Sequence, residues 1–444
     1  MSLKPSGPQA LKPSGMKPIK DTIPLDEARQ LIADACRPIE RTERVAIVDA
    51  NGRVAAADVA STRDVPPFSR AGMDGYAVRA EDTFGASRYE PKTLRVIEKV
   101  YTGQVPTKTI EAGTAVEIAT GAPMPQGADA VVMVEETEKA DEALGAGLSA
   151  GALAKVEALA NPAVRVLTPV YPRQNVGRQG ADIVVGQVVI ARGDVLNPSR
   201  IGALAALGVS EVEVFAKPTI AILSTGNEIA DPGDELKPGQ IYDINKFTLS
   251  TIIAEHGGVP MPFATAQDTI EALENAIDSA LGRRSLGEGG CDVLVFSGGS
   301  SVGERDLILD VIGRKGDIVF HGIAVKPGKP TVFGTIKGTP MFGMPGYPTS
   351  CLSNAYMLLV PALRAMARLK PRHLATVALP LGQRIVSTTG RHQFYTVRIV
   401  EGQAMPAFKA SGDITSMSQA DGYIEIPAQT DIVEKGEVVD VRLF

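Results

Sequence analysis

Three short apolar runs, each ending in a turn, most constrain how this chain can fold. They are "PTIAILS" at 218–224, "CDVLVFS" at 291–297 and "TPMFGM" at 339–344. Helical spacing appears between them, over Asn245–Glu255 and over a second helix predicted to begin at Asp268, with Asp268 and Glu271 as a capping box. A long helix is predicted from Pro348. Apolar strands that alternate with helices indicate an α/β fold with a parallel sheet covered on both faces.

The turns after these strands are the expected ligand-binding edge, because open α/β sheets bind ligands outside the carboxyl ends of their strands. One of them, "SGGSSVGERD" at 297–306, is rich in groups that bind anions. Gly298 and Gly299 let backbone N–H groups approach a ligand, Ser301 adds a hydroxyl, and Asp306 could hold Mg²⁺ or orient a nucleophile. An ordinary glycine-rich turn whose aspartate caps the next helix explains the segment equally well.

Two lysines stand three residues apart in "KPGKP", at Lys326 and Lys329. Proline fixes φ and glycine permits a tight turn, so both ammonium groups extend from a stiff loop. This arrangement suits a tetrahedral or phosphate oxyanion. A solvated basic turn between strands is the less favoured alternative.

Other polar positions carry weaker signals. Ser350 lies at a helix N-terminus, where free N–H groups could bind an anion or simply be capped. Asp74 and Thr120 lie in glycine-containing turns that need no ligand to explain them. Asp243 could be a metal ligand or a helix cap. The four histidines show no metal-ligand spacing and are expected to be structural.

Composition excludes several classes of function. Tryptophan is absent and aromatic residues make up 5% of the chain, which argues against stacking platforms for nucleic acid. The net charge is −6, so an anionic substrate must be attracted by local basic groups. Three cysteines without a Cys-x-x-Cys pair argue against disulfides and structural zinc and favour a reducing, cytoplasmic location. No run of 18 apolar residues predicts a membrane span.

The order of the motifs is more specific than any one of them. "MDGYAVR", "TGAPMPQGADAVV", "STGNE", "SGGSSVGERD", "VKPGKP" and "GMPGYPTS" follow one another along the chain. Together they resemble the molybdopterin molybdenumtransferase family, which includes bacterial MoeA proteins and the gephyrin E domain, from about Pro24 to Phe444. The resemblance implies a four-part homodimer that acts on adenylated molybdopterin and molybdate. It also implies that Mg²⁺ assists, that AMP leaves and that the metal enters the dithiolene.

The resemblance also assigns roles by motif. Asp243 and Asp306 match an acidic pair near metal and phosphate. The positions that match oxyanion-binding residues are Ser301, Lys326, Lys329 and Pro330. The β-rich part contributes Asp74 and Thr120, and the C-terminal part contributes Arg391 and Ser416. Asp182 matches the last residue of an R-x-G-x-D segment.

This chain departs from the family pattern at three positions. Ala181 stands where many members have an acidic residue, Tyr347 replaces a usual asparagine, and Ser300 replaces a common valine.

Composition and resemblance together predict the domain organisation. The predicted parts are a disordered tail (1–20), an elongated linker and dimerisation domain (21–65 and 190–216), a β-rich inserted domain (66–189), an α/β catalytic domain (217–370) and a C-terminal β-barrel, or alternatively a sandwich (371–444). Segments 140–160 and 281–290 are predicted to be insertions.

Three alternative functions remain at this stage. They are the sister pterin adenylyltransferase, a non-catalytic gephyrin-like scaffold and a generic nucleotide-binding module. Tungstate could replace molybdate, and transient contact with other cofactor-assembly proteins is expected.

Overall fold

The computed structural model describes residues 21–140, 162–282, 290–298, 307–410 and 412–444. The predicted tail lies outside these ranges, as do nearly all of the 140–160 segment and most of the 281–290 segment. The chain divides into two compact units. The smaller one comprises Val45–Asn51 and Ala57–Val212, and the larger one comprises the remainder.

The first helix of the chain begins directly after Pro24. Helix α1 (Leu25–Ala35) follows Pro24 and buries Leu25, Ala28 and Ile32, which lie three to four residues apart on one face. Strand β1 (Thr42–Ala46) comes next.

The smaller unit is rich in strands, as predicted. Its strands are β2 (Val59–Ala60), β3 (Arg70–Ala71), β4 (Gly75–Val78), β5 (Lys92–Val100), β6 (Thr114–Ile118), β7 (Ala130–Met133), β8 (Thr137–Lys139), β9 (Ala163–Val166), β10 (Val176–Gly177) and β11 (Val188–Ile190), and α2 (Pro198–Ala206) follows them. Six form a mixed sheet in the order β7-β4-β6-β5-β9-β8. Tyr76 and Val78 contribute to one apolar cluster and Ala77 to another, so both faces of this sheet are covered.

The larger unit contains the predicted α/β domain. Its elements are β12 (Glu211–Phe215), β13 (Thr219–Ser224), β14 (Ile229–Ala230), β15 (Ile241–Tyr242), α3 (Asn245–Glu255), β16 (Val259–Pro262), α4 (Ile270–Gly282), β17 (Val293–Ser297), α5 (Leu307–Lys315), β18 (Gly316–His321), β19 (Val325–Lys326), β20 (Val332–Ile336), β21 (Thr339–Met344), α6 (Pro348–Asn354) and α7 (Val360–Met366). The residues between α6 and α7 form a π-helical segment, Ala355–Leu359.

The main sheet of this domain is only partly parallel. The strand order is β16-β13-β17-β21-β20-β18, in which the first four strands are parallel, β20 is antiparallel to β21, and β18 is antiparallel to β20. Strands β20 and β21 form a hairpin closed by Lys337 and Gly338, with φ of +50° and +81°. Positive φ at both positions is typical of the tight turns that suit the twist of a hairpin. The α/β class is therefore confirmed, with an antiparallel edge added.

The predicted capping box at Asp268 is wrong. Helix α4 begins at Ile270, and the hydroxyl of Thr269 accepts a hydrogen bond from the Ala272 N–H at 3.2 Å. Thr269 therefore takes the capping role, while the Asp268 side chain accepts from the Asn227 N–H at 3.4 Å.

The C-terminal region is all β apart from one helical turn. Its elements are β22 (Thr376–Pro380), β23 (Ile385–Val386), β24 (His392–Val400), β25 (Gln403–Pro406), α8 (Thr415–Ser418), β26 (Gly422–Ile426), β27 (Ile432–Val433) and β28 (Val438–Leu443). Five strands form a sheet in the order β19-β24-β26-β28-β22, with β25 also paired to β24. Strand β19 comes from the preceding domain. In the described part of the chain, no helix is long and apolar enough to cross a bilayer.

Candidate active site

Three strands of the α/β sheet end side by side. Ser224 at the end of β13 pairs with Ser297 of β17, and Ser297 pairs with Met344 of β21. The turns that follow are in close contact, because a Cβ on Gly298 would lie 2.7 Å from the Thr225 carbonyl oxygen. The turns after β13 and β17 therefore lie side by side at this edge of the sheet, as far as they are described.

Asp243 and Asn245 lie at the N-terminus of α3, beside the same edge. Asp243 Oδ1 accepts a hydrogen bond from the Lys246 N–H at 2.9 Å, so the capping role left open by the sequence is present. Asp243 Oδ2 is buried without a hydrogen-bond partner among the described residues, and Lys246 Nζ lies 3.9 Å from it. Asn245 Nδ2 donates to the Gly346 carbonyl at 2.8 Å, which ties the helix to the turn after β21.

The lysine loop, residues 326–330, has a fixed backbone. Gly328 has φ of +101°, a conformation that side chains rarely adopt. The Asn354 side chain, which is completely buried, donates from Nδ2 to the Gly328 carbonyl at 2.9 Å and also bonds to the Thr331 hydroxyl. Pro330 lies in the turn that leads into β20. The helix that carries Ser350 therefore stabilises the lysine loop through Asn354.

Ser350 itself is buried in the first turns of α6. Its carbonyl accepts from the Ser353 hydroxyl at 3.1 Å. Asn354 follows it by one helical turn, on the same face.

The C-terminal region contacts the lysine loop and the first turn of α6, where the Thr349 hydroxyl donates to the Asp413 carbonyl at 3.0 Å. Lys326 Nζ donates to the Thr388 hydroxyl at 2.8 Å. Three residues later, the Arg391 N–H donates to the Thr388 carbonyl at 3.3 Å. The Ser416 hydroxyl is buried and accepts from the Lys409 N–H at 3.0 Å. Both C-terminal residues predicted from the resemblance therefore lie in segments that pack within the larger unit.

Asp74 and Thr120 are in direct contact in the smaller unit. Asp74 Oδ1 accepts from the backbone N–H of Thr120 at 2.7 Å and from its hydroxyl at 2.9 Å. These two hydrogen bonds, the backbone one foremost, lower the pKa of the Asp74 carboxyl. The side chain is therefore a hydrogen-bonded carboxylate at neutral pH.

The segment that contains Asp182 is hydrogen-bonded to residues 64–66. The Asp182 N–H donates to the Val65 carbonyl at 3.0 Å, and the Gly180 N–H donates to the Pro66 carbonyl at 3.0 Å. Gln179 Nε2 donates to the Asp64 carboxylate at 2.8 Å. The Asp182 side chain is exposed.

The cysteines contribute no nucleophile to the site. All three are free and buried. Burial raises the pKa of Cys36 and of Cys291 to about 12, which disfavours their thiolates.

Similarity to known proteins covers nearly the whole chain. Residues 23–208 match the MoeA N-terminal region (domains I and II), 221–365 match a probable molybdopterin binding domain, and 378–444 match the MoeA C-terminal region (domain IV). Molybdopterin molybdenumtransferase 2 of Mycobacterium tuberculosis is 31% identical over 92% of this chain and 96% of its own length. The chain belongs to the MoeA family.

Further MoeA relatives agree in sequence and in fold. The molybdopterin molybdenumtransferase of Haemophilus influenzae is 29% identical over 95% of this chain and 98% of its own length. A crystal structure of the molybdopterin biosynthesis MoeA protein from Pyrococcus horikosii superimposes with a TM-score of 0.78 at 40% identity, covering 95% of this chain and 99% of that one. This MoeA protein is thus a transferase of molybdenum cofactor biosynthesis.

Part of the predicted MoeA site falls outside the described residues, namely Gly299, Ser301 and Asp306. Helix α5 begins at Leu307, directly after Asp306. Within the described ranges, no three His, Cys, Asp or Glu side chains are grouped as a metal site. The residue that fits Mg²⁺ there is Asp243, whose buried Oδ2 is an oxygen of the kind that Mg²⁺ prefers.

Two side chains that contact the lysine loop were not predicted from the sequence, Thr388 and Asn354. Asn354 could have been found from its helical spacing to Ser350. Thr388 carries no such signal, because 62 residues separate it from Lys326.

Proposed function

We propose that this protein inserts molybdate into adenylated molybdopterin and releases AMP. The observation that carries the proposal is the lysine loop, where a buried asparagine fixes the turn between two cations. Molybdate is a dianionic tetrahedron and the leaving group is a phosphate, so both need donors that are in place before the reaction. Family membership supplies the substrate class, and the stiff loop supplies a physical reason for the choice of residues.

The chain's own residues divide the work. The oxyanion is bound by Lys326, Lys329, Ser301, Pro330 and Arg391. The phosphate oxygens are bound by the amides of Gly298 and Gly299. Ser350, Ser416 and Asp182 complete the substrate contacts.

Asp74 and Thr120 act as a hydrogen-bonded pair from the smaller unit. In the proposed homodimer, the partner supplies this pair to the site.

Asp243 and Asp306 are the residues that would hold Mg²⁺. When bound, the ion would neutralise the charge that develops on the phosphate of the leaving AMP. Asp243 also keeps its capping bond to Lys246, which fixes the direction of its second oxygen.

The setting follows from the same proposal. We place the reaction in the cytoplasm, where thiols stay reduced. Other proteins of cofactor assembly make transient contact to deliver and receive the pterin, and neither nucleic acid nor a membrane takes part. The homodimer is tested by light scattering, where a fully active monomer at micromolar concentration would contradict it.

The alternatives predict different outcomes in one assay. Purified protein is mixed with adenylated molybdopterin, Mg²⁺ and either molybdate or tungstate, and AMP is followed. Oxyanion-dependent AMP release is expected. A scaffold or a generic nucleotide-binding module would release none, and an adenylyltransferase would form the adenylate from ATP instead.

A matched pair of lysine variants ties the assay to the site. Lys329→Ala should raise the half-saturating molybdate concentration more than that of the pterin, because a lysine ammonium is a compact charge suited to the oxyanion. Lys337→Ala is the control, since Lys337 lies in the hairpin turn at the opposite end of β20 and β21. If both variants behave alike, the loop is not the oxyanion site.

A further inference from the structure

The lysine loop is shared between two sheets. Before it, β19 runs parallel to β24, with Val325 opposite His392 and Lys326 opposite Gln393. The His392 N–H donates to the Ala324 carbonyl at 2.8 Å, which extends this ladder. After the loop, the chain enters β20 of the α/β sheet. The position of Lys326 therefore depends on the C-terminal sheet.

Thr388 bonds to the ammonium group of Lys326 and to the backbone of Arg391. Its hydroxyl accepts from Lys326 Nζ at 2.8 Å, and its carbonyl accepts from the Arg391 N–H at 3.3 Å. An ammonium group has three N–H donors, so this bond directs one of them and leaves two to point at ligand oxygens.

The turn that carries Thr388 is itself anchored on its far side. The Ser387 N–H donates to the Asp431 carbonyl at 2.7 Å, and the Thr389 hydroxyl donates to Asp431 Oδ1 at 2.6 Å. The Gly390 N–H donates to the Ala428 carbonyl at 2.8 Å. Thr388 is thus a fixed point for a long, otherwise flexible lysine side chain.

We propose that Thr388 is a positioning residue that fixes the Lys326 ammonium for binding of the tetrahedral oxyanion. The inference rests on the proposed function and adds a residue to it. A lysine side chain loses much rotamer freedom when it binds, and a partner that holds it beforehand removes part of that cost from the binding step. The effect therefore falls on oxyanion affinity and leaves pterin affinity unchanged.

The test compares two substitutions at the same position. Thr388→Val keeps the shape and the backbone carbonyl that holds Arg391, but it removes the hydroxyl. We expect the half-saturating molybdate concentration to rise about tenfold, as for loss of a hydrogen bond to a charged group. Thr388→Ser restores the hydroxyl and should return the value to within about twofold of the wild type. Titration calorimetry with molybdate alone should show the same order of affinities.

Two controls separate positioning from general support of the fold. Thr389→Val removes one of the three bonds that anchor this turn but leaves the Thr388 hydroxyl in place, so it should lower molybdate affinity far less than Thr388→Val does. In a Lys326→Met background, Thr388→Val should add less than about a twofold loss, because its effect acts through the ammonium.

The outcomes distinguish the proposed function from the positioning role of Thr388. If the wild type neither releases AMP nor binds molybdate, the proposed function fails. If the wild type is active but Thr388→Val binds molybdate as the wild type does, the positioning role is overturned and the function stands. The positioning role is also overturned if Thr388→Val and Thr389→Val lose molybdate affinity equally. It is overturned as well if Thr388→Val still causes its full loss of affinity in the Lys326→Met background.

Discussion

Replacing Gly328 by alanine should displace the lysine loop. A Cβ at this position would lie 2.3 Å from Asn354 Nδ2 and 2.5 Å from Asn354 Oδ1. The asparagine cannot simply rotate away, because it is completely buried and its amide bonds to the Gly328 carbonyl and to Thr331. The backbone is also strained for any side chain, with φ of +101°.

The size of the effect follows from these two causes. A side chain at such a φ costs about 1–3 kcal/mol. Displacing the Asn354 amide leaves buried polar groups unpaired, which costs about 1–3 kcal/mol more. We therefore expect Gly328→Ala to destabilise the protein by about 2–6 kcal/mol, or to relieve that strain by moving the loop and with it both lysines.

Urea unfolding measures the loss of stability, and the molybdate dependence of AMP release measures the displacement of the two lysines. Gly338→Ala is the matched control, because Gly338 has φ of +81° but nothing within 4 Å of its would-be Cβ. The control should lose about 1–3 kcal/mol and keep its use of molybdate. The predicted clash between a Cβ at position 328 and Asn354 is refuted if Gly328→Ala unfolds at the same urea concentration as the control and uses molybdate equally well.

Three further predictions concern carboxylates of the proposed site. Asp306→Asn should leave the fold intact and lower AMP release by about 10² to 10³ or more, since a metal ligand is lost; near wild-type release would reject this role. Thr120→Val should raise the pKa of Asp74 part of the way to its ordinary value, because the backbone bond remains. Above the pKa that Asp74 has in the unfolded chain, its carboxylate stabilises the fold, and this stabilisation is lost as pH falls through the lower pKa of the folded state. The variant should therefore lose the stabilisation at a higher pH, and an NMR titration of the Asp74 carboxyl should show the raised pKa. Asp182→Ala should lower activity more than about tenfold while Ala181→Glu changes it less, and a silent Asp182→Ala would remove this loop from the site.

The regular elements were largely predictable because their periodicity is local. Leu249, Ile252 and Ile253 mark one face of α3, and the structure buries all three. The start of α4 was predicted two residues early because Asp268 and Thr269 are both good caps, and the choice depends on Asn227, which binds Asp268. The antiparallel edge was missed because Lys337-Gly338 is a weak hairpin signal: a lysine with positive φ is uncommon.

The local setting of several candidate residues was predictable, but the contacts that support them were not. Sequence motifs placed Gly298 directly after a strand and Ser350 at a helix N-terminus, where the structure has them. Thr388 was out of reach, since its contact with Lys326 depends on how two domains pack. The roles of all these residues in catalysis stay predictions.

The pairing of β19 with β24 limits how this architecture can be rearranged in evolution. A chain shortened before His392 would lose the strand to which Val325 and Lys326 are bonded, and it would expose their backbone N–H and C=O groups as an open edge. Gain, loss or exchange of the C-terminal domain would therefore also make or break a strand pair with the preceding domain. A graft of this domain from a relative would have to preserve the register of this strand pair, in addition to the sequences of the two domains.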